Sequence, residues 1–115
     1  MSTSIVFFDI AGHDTATQAA FYTAVFGWEV SRDGQLQIPV ASPLHGSLRA
    51  DPPHVGIYLG VADVTATLEK VAAHGGTVVA QRFGIPGVVI LGLFTDPAGN
   101  RLGLVELDGD KPRIP

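Results

Sequence analysis

The side chains that could do chemistry in this chain are few and widely spaced. It contains four histidines and no cysteine, which excludes a thiolate metal site, a thiol nucleophile and a disulfide. Histidines and carboxylates can still bind a divalent cation or move a proton. The sequence has no Gly-x-Ser-x-Gly turn, phosphate-binding glycine loop or zinc-protease helix motif. Any reactive site must therefore be assembled by folding from side chains that are distant in sequence.

The positions of the candidate side chains in the sequence favour different roles for them. His13 precedes the first predicted helix and His74 ends the second, which is typical of turn or helix-end histidines. Asp9 lies on the first predicted strand, where it is either a general base or a solvated edge carboxylate. Tyr58, on a later strand, is either a ligand contact or a cross-strand packing residue.

An internal repeat positions these residues. Each half of the chain carries an apolar strand, an Asp, an amphipathic helix, a Gly and another strand. Asp14 and Gly27 of the first half recur as Asp63 and Gly76, each 49 residues later. Two copies within 115 residues indicate one pseudo-symmetric domain rather than a solenoid.

Two helices are predicted, and each has about 12 residues. Residues 14–26 place apolar side chains at helical spacing and end at Gly27, with Asp14 and Thr15 as competing N-caps. Residues 64–74 repeat this pattern and end at a pair of glycines.

Eight strands complete two βαβββ modules, over residues 4–50 and 54–107. The modules are joined by Pro52 and Pro53, which cannot continue a central strand. We expect a type I turn at residues 96–99. The strands are predicted at residues 5–10, 28–32, 36–40, 44–50, 55–61, 77–83, 88–94 and 102–107.

Composition excludes several classes of protein. With 46% hydrophobic and 16% charged residues, the chain is neither disordered nor a coiled coil, and a net charge of −4 argues against a nucleic-acid surface. The apolar run 88–94 is too short to span a bilayer, and residues 1–4 lack a signal-peptide pattern. We therefore expect a cytoplasmic protein with neither nucleic acid nor membrane as a partner, and a polar tail, 108–115, that frays.

Five short motifs occur in order along the chain: Ala20-Phe21-Tyr22, Phe26-Gly27-Trp28-Glu29, Val61-Ala62-Asp63-Val64, Gly75-Gly76 and Asp96-Pro97-Ala98-Gly99-Asn100. Together they resemble the vicinal oxygen chelate superfamily, which includes glyoxalase I, extradiol dioxygenases and bleomycin-binding proteins. The resemblance implies an α+β fold in which two βαβββ modules form a curled mixed sheet around a cup. It also implies a single domain over residues 1–110 whose cup is commonly completed by a second subunit.

The resemblance also implies where a metal would bind. Superfamily members that hold a metal use His, Gln or Glu at cup-facing strand positions, and these positions here are Phe7, Gly56 and Gly103. None of the three can bind a metal through its side chain. We therefore predict no metal and no other cofactor. An alternative metal site remains open, in which residues near the expected ligand positions bind the ion instead. These displaced candidates are His45, His54 and Glu106, although strand alternation places Glu106 on the face opposite Gly103.

We accordingly predict a metal-independent homodimer that binds a small apolar or aromatic molecule in the cup. One alternative is a metal-dependent lyase, isomerase or dioxygenase acting on a vicinal oxygen substrate, and another is an accessory or dimerisation domain without a ligand. Catalytic residues stay undetermined. We expect Gly56, Gly60 and Gly103 to leave room for the ligand. The predicted ligand-binding residues are Phe7, Asp9, His45, Tyr58, Gly56 and Gly103.

Overall fold

The computed structural model describes Ile5 and residues 7–115, and every structural statement below concerns these residues. Val6, which belongs to the first predicted strand, lies outside them. Neither described helix is long and apolar enough to cross a membrane. The elements in chain order are α1 (Thr15–Phe26), β1 (Glu29–Val30), β2 (Leu36–Gln37), β3 (Tyr58–Val61), α2 (Val64–Ala73), β4 (Thr77–Ile85), β5 (Val89–Thr95), β6 (Arg101–Asp108) and β7 (Lys111–Pro112).

The second half of the chain forms a complete βαβββ module. Its strands lie in the order β3-β6-β5-β4, with β3 parallel to β6 and the other neighbours antiparallel. The parallel pair needs a long crossover connection, which begins with α2. The predicted strands of this half are confirmed, although β3 begins three residues later than expected. The fold is thus α+β with a mixed sheet.

Both helices begin and end within one residue of the predicted bounds, and Asp14 rather than Thr15 is the N-cap of α1. The carboxylate of Asp14 accepts a hydrogen bond from the Thr17 amide at 3.0 Å, and Asp63 accepts one from the Ala66 amide at 2.9 Å. These side chains satisfy amides that a helix leaves without partners at its start. The first helix ends at Gly27, whose φ of 69° is the left-handed conformation that glycine adopts at little cost.

One hydrophobic core joins the two helices to the inner face of the sheet. Alternate residues of β3 and the residue before it (Ile57, Leu59 and Val61) pack against this core, as strand alternation predicts. The first half contributes mainly aromatic side chains of α1 and the residues after it. The buried members are Phe21, Tyr22, Trp28, Val64, Leu68, Val71, Phe94, Leu102 and Leu104.

The first half does not build the second module that the repeat predicts. Neither residues 7–10 nor residues 44–50 carry a strand, and β1 and β2 pair only with each other, over two residues. Every residue from 39 to 56 is exposed. A strand needs a neighbour to take its backbone hydrogen bonds, and four prolines remove donors along this segment. Within the described residues, the chain therefore contains one βαβββ module rather than two.

The C-terminal tail folds back on the sheet. Strand β7 pairs with the end of β6, and the Arg113 amide donates to the Glu106 carbonyl at 2.9 Å. Pro115 lies close to Gly84, where a Cβ would be 3.1 Å from the proline ring. The expectation of a frayed tail is wrong because these contacts attach it to β6 and β4.

Candidate functional site

The candidate site is the face of the sheet opposite α2, which we call the open face. Tyr58 lies opposite Gly103 in the β3–β6 register, and Gly103 lies opposite Leu93 in the β6–β5 register. Two aromatic side chains on this face remain accessible, since Tyr58 is 48% exposed and Phe83 38% exposed. The open face includes Tyr58, Gly60, Phe83, Leu91, Leu93, Gly103, Val105 and Leu107, together with Ala80 opposite Leu93 and Arg101 at the start of β6.

Glycines of the open face allow larger side chains to lie flat on the strands. A methyl group at Gly103 would overlap the ring of Tyr58, and a Cβ at Gly60 would come within 2.6 Å of Leu107 Cδ1. Each glycine is thus required by a close approach. The expectation that these two positions leave room for a ligand is wrong, because Tyr58 and Leu107 fill the space. What they create is an apolar surface with the Tyr58 ring lying over β6, beside the edge strand β3.

Of the six predicted ligand-binding residues, three lie together at the open face and three lie in segments outside the sheet. Gly56, Tyr58 and Gly103 are close together, and a Cβ at Gly56 would lie 3.2 Å from Tyr58 Cε1. Phe7 and Asp9 lie in the segment before α1, where Phe7 is 72% exposed. His45 lies in the exposed segment between β2 and β3. A ligand-binding role remains a prediction for all six residues.

The displaced residues do not fit a catalytic metal. The described part of the chain contains no group of three His, Asp or Glu side chains that could hold an ion. Nε2 of His54 lies beside the guanidinium of Arg49, which is a poor neighbour for a metal-binding nitrogen. Glu106, the third displaced candidate, is hydrogen-bonded to Val64 and Arg82.

Glu106 is a buried carboxylate on the helix side of the sheet. It accepts hydrogen bonds from the Val64 amide at 3.1 Å and from Arg82 Nε at 3.0 Å and Nη2 at 2.7 Å, and Arg113 Nε lies 3.4 Å away. The hydrogen bonds from Arg82 lower the pKa of Glu106 to about 2. The carboxylate also faces the positive end of the α2 dipole. Its predicted orientation, away from Gly103, is confirmed, and its contacts indicate a structural role.

A second buried carboxylate, Asp96, connects the two halves. Its Oδ2 accepts hydrogen bonds from Gln18 Nε2 at 2.8 Å, Tyr22 OH at 2.9 Å and Asn100 Nδ2 at 2.9 Å. Burial alone would raise the pKa of Asp96, but these hydrogen bonds and one from the Asn100 amide outweigh it and lower the pKa. Burial also raises the pKa of the Tyr22 phenol.

The turn predicted at residues 96–99 is confirmed by a 2.9 Å hydrogen bond from the Gly99 amide to the Asp96 carbonyl. The sequence pattern indicated only this turn and missed the link to α1. A signal was present, because Gln18 and Tyr22 lie one helical turn apart on the otherwise apolar face of α1.

The model of the glyoxalase-like domain family matches residues 5–105, and the chain belongs to this family. The predicted membership of the vicinal oxygen chelate superfamily is thereby confirmed, and superfamily members are among its structural neighbours. A glyoxalase-related enzyme from Fulvimarina pelagi shares the fold with a TM-score of 0.69 at 17% identity, over 92% of this chain and 89% of that one.

Two curated relatives are similar in sequence. The putative glyoxylase CFP32 of Mycobacterium tuberculosis is 28% identical over 111 residues, covering 84% of this chain and 42% of that protein. The anthracycline biosynthesis protein DnrV of Streptomyces peucetius is 29% identical over 117 residues, covering 80% of this chain and 42% of that protein. The chain therefore spans less than half the length of the curated relatives it matches.

Proposed function

We propose that this glyoxalase-like protein binds a flat apolar or aromatic small molecule on the open face, without a metal. The observation that carries the proposal is the ring of Tyr58, which lies on Gly103 and remains half exposed among apolar side chains. Small-molecule sites are typically apolar surfaces with a few polar groups that orient the ligand. The phenol of Tyr58 is such a group.

The chemistry of the open face favours binding over acid–base catalysis. Apart from the phenol of Tyr58 and the guanidinium of Arg101 at the start of β6, the residues named for this face have no ionisable side chain. A planar ligand could stack on the Tyr58 ring and cover the leucines beside it, gaining about 25 cal/mol for each Å² of apolar surface buried. DnrV, one of the curated relatives, is an anthracycline biosynthesis protein. Its name supports a polycyclic aromatic ligand as the class to test first.

We further propose that the protein is a homodimer in which the first half completes its module and the cup. Four large apolar side chains between β2 and β3 are exposed, with values of 59% to 102%. Apolar patches of this kind usually mark an interface. Covered by a second copy, the segment could form the predicted strands and bring His45, Phe7 and Asp9 toward an open face. The four side chains are Val40, Leu44, Leu48 and Val55.

Binding of the fluorescent anthracycline doxorubicin to chelator-treated protein tests the ligand site. We expect saturable binding that Tyr58→Leu weakens about tenfold, which corresponds to a lost aromatic contact of about 1.4 kcal/mol. The matched control Tyr58→Phe keeps the ring and removes only the phenol hydroxyl, so it should weaken binding less than Tyr58→Leu does. Equal binding by Tyr58→Leu would move the site away from the open face.

Thermal unfolding of the same chelator-treated protein tests metal independence. We expect no stabilisation when Zn²⁺, Ni²⁺ or Mn²⁺ is added. A stoichiometric ion that raises the unfolding temperature would support the metal-dependent alternative.

Sedimentation tests the dimer, for which we expect twice the 12.0 kDa mass of one chain. We expect the Leu48→Glu variant to dissociate into monomers.

A further inference from the structure

A separate pocket of about 340 Å³ lies between the two halves. Its walls come from the end of α1, the chain after β2, the edge strand β3 and α2. Leu59 and Val61 reach it from the helix side of β3, whereas Tyr58 lies on the other side. We call this cavity the inter-half pocket. It lies beyond the edge strand and shares only Gly60 of that strand with the residues named for the open face.

One wall of the inter-half pocket is aromatic and rigid. The ring centroids of Phe26 and Trp28 are 6.0 Å apart, and Trp28 is stacked on Tyr22 at 4.9 Å with an interplanar angle of 10°. Trp28 is 6% exposed, so its ring is fixed by packing. Ile38 and Leu59 complete a lining that suits a hydrocarbon chain or a ring.

A single cation lies at the rim of this apolar lining. Among the described residues that line the pocket, Lys70, in the last turn of α2, is the only charged one. No acidic side chain lies three or four residues from it along the helix. The ion pairs of the described residues involve Arg49, Arg82 and Arg113 but not Lys70. Its ammonium is therefore available to a negatively charged ligand.

We propose that the inter-half pocket is a second ligand site, for a small amphipathic carboxylic acid. The apolar body of the acid lies against Trp28 and Phe26, and its carboxylate pairs with Lys70. An apolar cavity with one cation at its rim selects an acid over an alcohol or an amine of the same length. The proposal is independent of the function proposed for the open face.

Trp28 is the only tryptophan in the sequence, so its fluorescence reports directly on this pocket. We expect a saturable change with octanoate, weaker binding of octanol and no binding of octylamine. Lys70→Met should lower the affinity for octanoate about fivefold, the value of a partly exposed ion pair, and leave octanol unaffected. Lys111→Met, a charge change on the exposed β7, is the matched control and should bind octanoate normally.

A second variant tests the cavity itself, independently of the charge of Lys70. Ala62 lines the pocket from the bend between β3 and α2, and its side chain is exposed. Ala62→Leu should fill the cavity and abolish binding of octanoate and octanol, while doxorubicin binding and thermal stability stay unchanged. Equal binding of octanoate and octylamine, or unchanged octanoate binding by Ala62→Leu, would overturn the proposal. So would a shift from dimer to monomer caused by octanoate, which would identify the pocket as an interface between copies.

Discussion

The two halves of this protein carry the same sequence pattern but differ in how much structure they form. Both have a helix with an aspartate N-cap, and the two helices differ by only two residues in length. Within the described residues, the second half adds a five-stranded sheet, β3 to β7, whereas the first half adds two strands of two residues each. The difference teaches that a local pattern suffices for a helix but not for a sheet, because strand hydrogen bonds require a partner segment.

The first half is held in place by the second. Phe21 of α1 packs against Phe94 of β5 with ring centroids 6.2 Å apart, and Asp96 binds Gln18 and Tyr22. These contacts hold α1 in place, although the described part of the first half forms only the two-residue pairing of β1 with β2. We therefore expect the second half to determine global stability and the first half to open more easily.

The largest effect is expected from a matched pair of core substitutions. Leu68→Ala in α2, where the side chain is 1% exposed, should lower the free energy of unfolding by about 4 kcal/mol. Leu36→Ala in β2, which is half-buried, should lower it by about 1 kcal/mol. Urea unfolding followed by circular dichroism measures both. Equal losses would contradict the unequal division of stability between the halves.

Glu106→Gln should cost about 3 kcal/mol at neutral pH, because it leaves Arg82 beside a neutral group. The value is at the low end for a buried pair because the Arg82 side chain is 44% exposed and keeps some hydration.

The same carboxylate gives a pH dependence of stability. The pKa of Glu106 is lowered to about 2 from an ordinary value of 4.5, so its contribution is present above pH 4.5 and is lost as the pH falls toward 2. The variant should show a flatter stability profile in this window. A variant as acid-sensitive as the original protein would exclude Glu106 as the cause.

Asp96→Asn should lower the free energy of unfolding by about 2 kcal/mol. Oδ2 of Asp96 accepts hydrogen bonds from three donors, and the amide nitrogen that would replace an oxygen cannot accept any. The loss should affect the first half most, and amide exchange in α1 should speed up more than in α2. Fluorescence of Trp28, which stacks on Tyr22, gives a second measure. Asp110→Asn, the same charge change in an exposed residue, is the control. Uniformly faster exchange in both helices would indicate that the halves open together.

The smallest effect is expected from the two N-caps. Asp63→Ala should lower the global free energy of unfolding by about 1 kcal/mol. Asp14→Ala removes the equivalent hydrogen bond from α1, and we expect a smaller global loss together with faster local exchange of the α1 amides. Identical global losses would show that both helices unfold in one step.

Features that depend on neighbouring residues could be predicted from the sequence. Asp63 begins α2 and Gly27 ends α1 as expected, and Asp14, one of the two candidate N-caps, begins α1, because caps involve residues only a few positions apart. The orientation of Glu106 followed from alternation along one strand. The polar pair Gln18 and Tyr22 on α1 was a sequence signal, but its partner Asp96 could not be predicted, since it lies 78 and 74 positions away.

The sequence by itself determined the family, both helices, the turn at residues 96–99 and the strands of the second half. Only the tertiary structure showed that Tyr58 and Leu107 occupy the space beside Gly103 and Gly60, and that the described part of the first half forms a sheet of only two short strands. The physical reason is distance along the chain. Capping and alternation act between near neighbours, whereas side-chain packing and strand pairing depend on which remote segments meet.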